Sequence, residues 1–139
     1  MRTPHIVERI DYPSGLQKKI DHPLSDTTTI QAATSETITR MLVTVVDTTL
    51  LNGREKMEHY SIAAKTGTAQ IPNPYGGGYY ADRNLHSFFG YFPAYDPEFI
   101  MFLYVVHPKG ARYASETLAP EFFETAKFLL NYYNVPPDR

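Results

Sequence analysis

Lys65-Thr66-Gly67-Thr68 is the point in this sequence where residue types and spacing combine into usable chemistry. The tetrad closes a run in which Tyr60, Ile62, Ala64 and Thr66 alternate with Ser61, Ala63, Lys65 and Gly67. That period of two is a strand pattern. Alternation puts Lys65 and Gly67 on one face and Thr66 on the other, and a twisted strand end lets all three approach one cleft. The lysine supplies a fixed positive charge, and the threonine hydroxyls can donate to a carboxylate. Gly67 removes a Cβ and lets a ligand lie against the backbone. Such a set is an anion clamp. On an edge strand, its free N–H and C=O groups could also pair with an extended peptide. A Lys-Thr-Gly triplet arises by chance in roughly a few per cent of chains of this length. On the triplet alone, a solvated strand-end lysine is an equal account. A phosphate-binding loop is excluded, because the glycines it needs before the lysine are replaced by Ala64 and His59.

The remaining reactive residues offer less. There are no cysteines, which excludes a disulfide scaffold, a thiolate nucleophile and a cysteine-ligated metal. His5, His22, His59, His86 and His107 have no metal-site spacing, and surface or packed histidines are the preferred account. Two or three of these histidines could still converge in space. Thirteen basic against fifteen acidic side chains give a net charge of −2. No basic stripe forms, so direct nucleic-acid binding is not expected. Tyr75, Tyr79 and Tyr80 either line a cleft or pin a glycine-rich loop to the body. The Phe and Tyr residues of 85–92 are assigned to the core, and Glu121 and Glu124 to a solvated helix face.

The elements that must position the tetrad follow from periodicity. Residues 5–20 read as a small peripheral hairpin around the turn cluster Asp11-Tyr12-Pro13-Ser14-Gly15. Residues 21–33 read as a polar linker. Ile38, Met41, Leu42, Val45, Val46 and Leu50 recur at helical spacing and predict a helix over about 35–51. Thr34 or Ser35 would cap it, and Asn52-Gly53 would stop it. Strands are expected at about 59–68, 85–92 and 99–106, the last two as an antiparallel hairpin. Residues 71–84, with two prolines and three consecutive glycines, read as a loop. Phe99 to Val106 is apolar throughout, as expected of a central strand covered on both faces. Phe122, Phe123, Ala126, Leu129, Leu130 and Tyr133 predict a final helix over about 118–133, with Pro120 in its first turn. The fold class is α+β: an antiparallel sheet packed against two helices. The division is a peripheral hairpin and linker over 1–33 and the main body over 34–139. The N-terminus has no apolar signal-like region, and no apolar run is long enough to cross a bilayer.

In this order the features resemble a known family. The run from Tyr60 to Gln70 is similar to the Lys-Thr-Gly box of penicillin-binding proteins and serine β-lactamases. Ser87-Phe-Phe-Gly-Tyr-Phe-Pro-Ala-Tyr-Asp-Pro-Glu-Phe99 resembles the strand-turn-strand that follows the box in class B penicillin-binding proteins. Leu118 to Phe123 resembles the start of their last helix, and Val135 to Asp138 their usual ending. Pro4 to Val7 and the helix from Ser35 resemble the segments before the box. The resemblance covers nearly the whole chain and implies the C-terminal part of a transpeptidase domain.

What the resemblance implies is a peptidoglycan D,D-transpeptidase, in which a serine forms an acyl-enzyme with a D-Ala-D-Ala stem peptide. Lys65 would stand beside the nucleophile and assist proton transfer. The Thr66 and Thr68 hydroxyls would hold the substrate or β-lactam carboxylate. The Thr68 N–H would be one oxyanion-hole donor, and Gly67 would let the substrate lie along the strand. The resemblance implies no metal and no cofactor. The parent would be membrane-anchored, with this domain on the extracytoplasmic, periplasmic face of the inner membrane. Its role would be in cell-wall synthesis during division or shape maintenance. The family also needs Ser-x-x-Lys and Ser-x-Asn motifs. None of Ser14, Ser25, Ser35, Ser61, Ser87 and Ser115 begins either one. Both motifs, the anchor and the rest of the domain are expected upstream, and this chain alone is expected to be inactive. Two other readings stand beside it: a non-catalytic remnant or interaction module, and part of a β-lactam sensor.

Overall fold

The computed structural model describes residues 5–21 and 28–139. The chain divides into two units, residues 1–35 and 36–139. In the first, β1 (Arg9–Asp11) pairs antiparallel with β2 (Gln17–Lys19) across the predicted turn. Gly15 supplies the positive φ that the turn needs. Residues 22–27 of the expected linker, His22 among them, lie outside the described residues, as does Pro4.

Helix α1 spans Ala32–Thr44, earlier at both ends than the 35–51 predicted. Thr34 and Ser35 therefore lie inside it rather than capping it. The helical path continues as one wide turn over Val45–Thr49 and a tight turn over Leu50–Gly53. The cause is local. Val43, Thr44, Val45 and Val46 crowd the preceding turn. The Thr44 and Thr48 hydroxyls donate back to the carbonyls of Arg40 and Thr44, which loosens the regular ladder. Leu51, Asn52 and Gly53 then all take positive φ, and the chain reverses. The expected Asn-Gly stop thus ends the path, but after a widened turn.

Strands β3 (Ala63–Pro72), β4 (Tyr79–Phe92) and β5 (Phe99–Val106) form an antiparallel sheet in the order β3-β4-β5. The 85–92 and 99–106 hairpin pairs in register from Leu85↔Val106 to Phe92↔Phe99. The loop read over 71–84 is shorter than expected, because the ladder runs on to Pro72↔Tyr79 past an irregularity after Gln70. Only 73–78 turn, held by the Asn73 N–H to Gly78 O bond at 2.9 Å. The polar Ala81-Asp82-Arg83-Asn84 stretch hid this extension. It is strand because its partner strand holds it, against its low strand propensity.

Helix α2 spans Ala114–Tyr132, four residues earlier than predicted. Pro120 is therefore inside it, beyond the first turn, where it removes one helical hydrogen bond at a cost of about 3 kcal/mol. Packing outweighs that cost. Leu118, Phe122, Phe123, Ala126 and Leu130 are buried against Ala64, Phe88 and Phe92 of the sheet and Ile62 just before it. The Phe88 and Phe122 rings meet at 4.7 Å between centroids. Gly90 is required at this contact, since a Cβ there would stand 2.5 Å from Phe122 Cζ.

Strand β5 corrects the sequence reading. It is an edge of this sheet, not a centre. Phe99, Met101, Leu103 and Val105 pack toward the core, but Ile100, Phe102, Tyr104 and Val106 are 57–73% exposed. Phe89 and Tyr91 also turn away from the main core, whereas Phe88 and Phe92 lie in it. Glu121 and Glu124 are exposed on α2, as expected.

Candidate active site

The tetrad lies within β3, at the sheet edge opposite β5. Residues 59–62, expected to be strand, precede the ladder and are fixed otherwise. The Ser61 N–H donates to Asp138 Oδ1 at 2.6 Å, and the Ser61 hydroxyl donates to Asp138 Oδ2. Tyr60 Oη donates to Val135 O at 2.7 Å. Arg139 forks onto Asp47, with Nη2 to Oδ1 at 2.9 Å, and donates to Met57 O. That carboxylate holds the Arg139 guanidinium above its ordinary range. The C-terminal residues thus brace the entry to the tetrad strand.

Cross-strand register assigns the faces. Lys65 pairs with Phe89 and Gly67 with Ser87, on the face that also carries the exposed Phe102 and Tyr104. Thr66 pairs with Phe88 and Thr68 with His86, on the α2 face. Along the strand, Lys65 and Gly67 are about 7 Å apart. The Lys65 ammonium is exposed and donates to Thr66 O at 2.8 Å. Among the described residues it pairs with no carboxylate. The charge is therefore not neutralised within the described chain. At Gly67, a Cβ would stand 2.6 Å from Ser87 Oγ.

Thr68 carries a contact that sequence reasoning missed. Its Oγ1 accepts the Ala114 N–H, at the first position of α2, at 3.2 Å. The hydroxyl proton is left to donate elsewhere, and the positive end of the α2 dipole lies beside it. Glu116 secures that helix start, because its Oε2 accepts the N–H groups of Tyr113 at 2.8 Å and Arg112 at 2.9 Å. Those two bonds hold the Glu116 carboxyl below its ordinary range. His86, beneath Thr68, is fully buried, with Nδ1 3.0 Å from Thr117 Oγ1. Period-two alternation could have flagged Thr66 and Thr68 as sharing a face. No local signal announces Ala114 or Thr117.

The other candidates do not converge on the tetrad. Tyr75 is exposed in the 73–78 turn and Tyr79 at the start of β4, and Tyr80 stacks under the Arg83 guanidinium at 4.0 Å. His59 is exposed, and His107 sits beside Lys109. Among the described residues no three His, Asp or Glu side chains form a metal cluster. A cavity of about 350 Å³ lined by residues 54–60 and Lys127 lies away from the tetrad.

An α+β half-fold with a Lys-Thr-Gly-Thr edge strand backed by the start of a long helix is the arrangement the family resemblance calls for. The model of the penicillin-binding protein transpeptidase domain matches residues 1–126, and the chain belongs to that family. Among its relatives is penicillin-binding protein PbpB of Mycolicibacterium smegmatis, 33% identical over 141 residues, covering 96% of this chain and 22% of the relative. Another is the peptidoglycan D,D-transpeptidase FtsI of Buchnera aphidicola, 29% identical, covering 86% of this chain and 21% of the relative. The crystal structure of penicillin-binding protein 3 from Mycobacterium tuberculosis complexed with ampicillin superposes with a TM-score of 0.69 at 26% identity. That match covers 94% of this chain and 30% of the crystallised one. The chain thus spans about a fifth of the length of these curated relatives. Among the described residues no helix is long and apolar enough to cross a membrane.

Proposed function

We propose that this chain is the C-terminal part of a peptidoglycan D,D-transpeptidase domain and supplies its carboxylate-binding wall. A serine supplied from outside the chain attacks the D-Ala-D-Ala carbonyl of a stem peptide. The serine O–C bond forms, and the terminal D-Ala leaves as its amine, taking up a proton. The amine of a second stem peptide then attacks the ester, releasing the serine and leaving a cross-link. Lys65 lends its charge beside the nucleophile and assists that proton traffic. The Thr66 and Thr68 hydroxyls hold the terminal carboxylate, Gly67 lets the peptide lie along β3, and the Thr68 N–H donates to the oxyanion. β-Lactams occupy the same wall through their own carboxylate. The division of the chain at residue 34, an anchored parent and a periplasmic location belong to this reading.

The observation that carries it is the Thr68 hydroxyl. It accepts the first N–H of α2, so its proton is the available donor on a strand whose lysine has no carboxylate partner among the described residues. The exposed apolar row of Phe89, Ile100, Phe102 and Tyr104, on the Lys65 face, supports a further segment of the domain seated there.

The test is labelling of source-cell membranes with a fluorescent penicillin and peptide mapping of the bands. Peptides of this chain in a labelled band much heavier than the chain itself support the reading, and Lys65→Ala in that protein abolishes labelling without lowering its melting temperature. Peptides found only in an unlabelled species of the chain's own mass would instead identify a remnant or interaction module. A Lys65→Ala protein that labels normally would sink the site assignment.

A further inference from the structure

We propose that His86 is a positioning residue for the Lys-Thr-Gly-Thr strand: through Thr117 and Ala114 it fixes where the Thr68 hydroxyl proton points. The inference rests on the transpeptidase reading and adds a residue to it. His86 lies on β4 directly opposite Thr68, on the face covered by α2. It is fully buried, and its Nε2 has no hydrogen-bond partner among the described residues. An aliphatic or aromatic side chain would fill that place without a buried unpaired nitrogen. The polar contact made by the ring is Nδ1 to Thr117 Oγ1 at 3.0 Å. Thr117 in turn donates to Ala114 O at 3.4 Å, and the Ala114 N–H donates to Thr68 Oγ1 at 3.2 Å. The tautomer with the proton on Nδ1 uses every hydrogen in this chain and leaves only a lone pair unpaired. In that order the bonds run from His86 to Thr117 to the Ala114 peptide groups and end on Thr68.

The consequence is directional. Thr68 Oγ1 has one proton to give. With Ala114 N–H fixed on one side of the oxygen, that proton is confined to the remaining directions around Thr68, which is itself exposed. Accepting a bond from a helix N-terminus also makes the hydroxyl a stronger donor. Loss of the His86–Thr117 bond lets the Thr117 hydroxyl turn and relaxes the Ala114 peptide groups, so the Thr68 hydroxyl is held less tightly in its acceptor role, while Glu116 still secures the helix start.

The experiment uses the full-length protein that carries this chain. Acylation rates are measured for a penicillin with its free carboxylate and for its methyl ester. The acid-to-ester ratio reports carboxylate recognition and is unmoved by a general loss of folded protein. His86→Leu and Thr117→Val are expected to lower that ratio about three- to tenfold, the worth of one neutral hydrogen bond. His86→Asn places an amide where Nδ1 stands and is expected to restore it. If His86→Leu fails to fold, the smaller Thr117→Val change carries the same test. A wild-type protein that favours the acid, with variants that keep its full ratio, overturns the role of His86 and leaves the transpeptidase reading standing. A wild-type protein that is not acylated, or that treats acid and ester alike, overturns that reading and this inference with it.

Discussion

Asp138→Ala should cost this chain about 2–4 kcal/mol of stability, although Asp138 is the penultimate residue and is exposed. Ser61 is 1% exposed, and Asp138 accepts both its backbone N–H and its hydroxyl. Each is a bond to a charged acceptor, worth about 1.5–3 kcal/mol, so two together approach about 3–6 kcal/mol. The loosened tail admits water to Ser61 and returns part of that. Ser61 Oγ also keeps the Ala94 N–H at 3.1 Å. Asp138→Asn retains one neutral acceptor and should lose about half as much. Ser61→Ala combined with Asp138→Ala should be less destabilising than the sum of the two single changes, because they share a bond. The assay is denaturant unfolding followed by near-ultraviolet circular dichroism, which suits a chain with eleven tyrosines and no tryptophan. A shift in midpoint at constant slope measures the loss. If Asp138→Ala unfolds within about 0.5 kcal/mol of the wild type, the scale of an ordinary surface change, the brace at the root of β3 is refuted.

Two further outcomes follow from particular contacts. Gly90→Ala places a Cβ 2.5 Å from Phe122 Cζ and 2.9 Å from Ala64 Cβ, and Phe122 is wedged among Phe88, Phe92 and Phe123. It should cost about 1–3 kcal/mol, whereas Gly67→Ala meets only the rotatable Ser87 Oγ and should cost less; equal melting temperatures for the two variants would contradict this packing. Glu116 has a carboxyl pKa lowered below 4.5 by the Tyr113 and Arg112 N–H groups, so its stabilising effect is present above about 4.5 and fades as pH falls through the lower folded value. Stability curves of wild type and Glu116→Gln should therefore converge below that pH, and parallel curves across the window would rule out the helix-start role.

The sequence alone determined whatever depends on neighbours a few residues away. The alternation from Tyr60 to Thr68 set Lys65 and Gly67 on one face. The apolar run 99–106 after a Pro-rich turn set a hairpin, and the motif order pointed to the family. Each is a local period or a short spacing, and such patterns survive in one dimension. Element ends did not. Helix α2 begins at Ala114 because Glu116 receives the Tyr113 amide just before it and Thr68 receives the Ala114 amide, and Thr68 is 46 residues away in the chain. Strand β4 reaches back to Tyr79 because β3 pairs with it, against the preference of its polar residues. Only the tertiary structure put His86 under Thr68 and brought Asp138 to Ser61. It also left the outer row of β5 uncovered, where an all-apolar run had suggested a strand enclosed on both faces. The physical reason is the same in each case. A buried polar atom or an apolar face must be matched by whatever the fold brings against it, and that partner lies elsewhere in the chain.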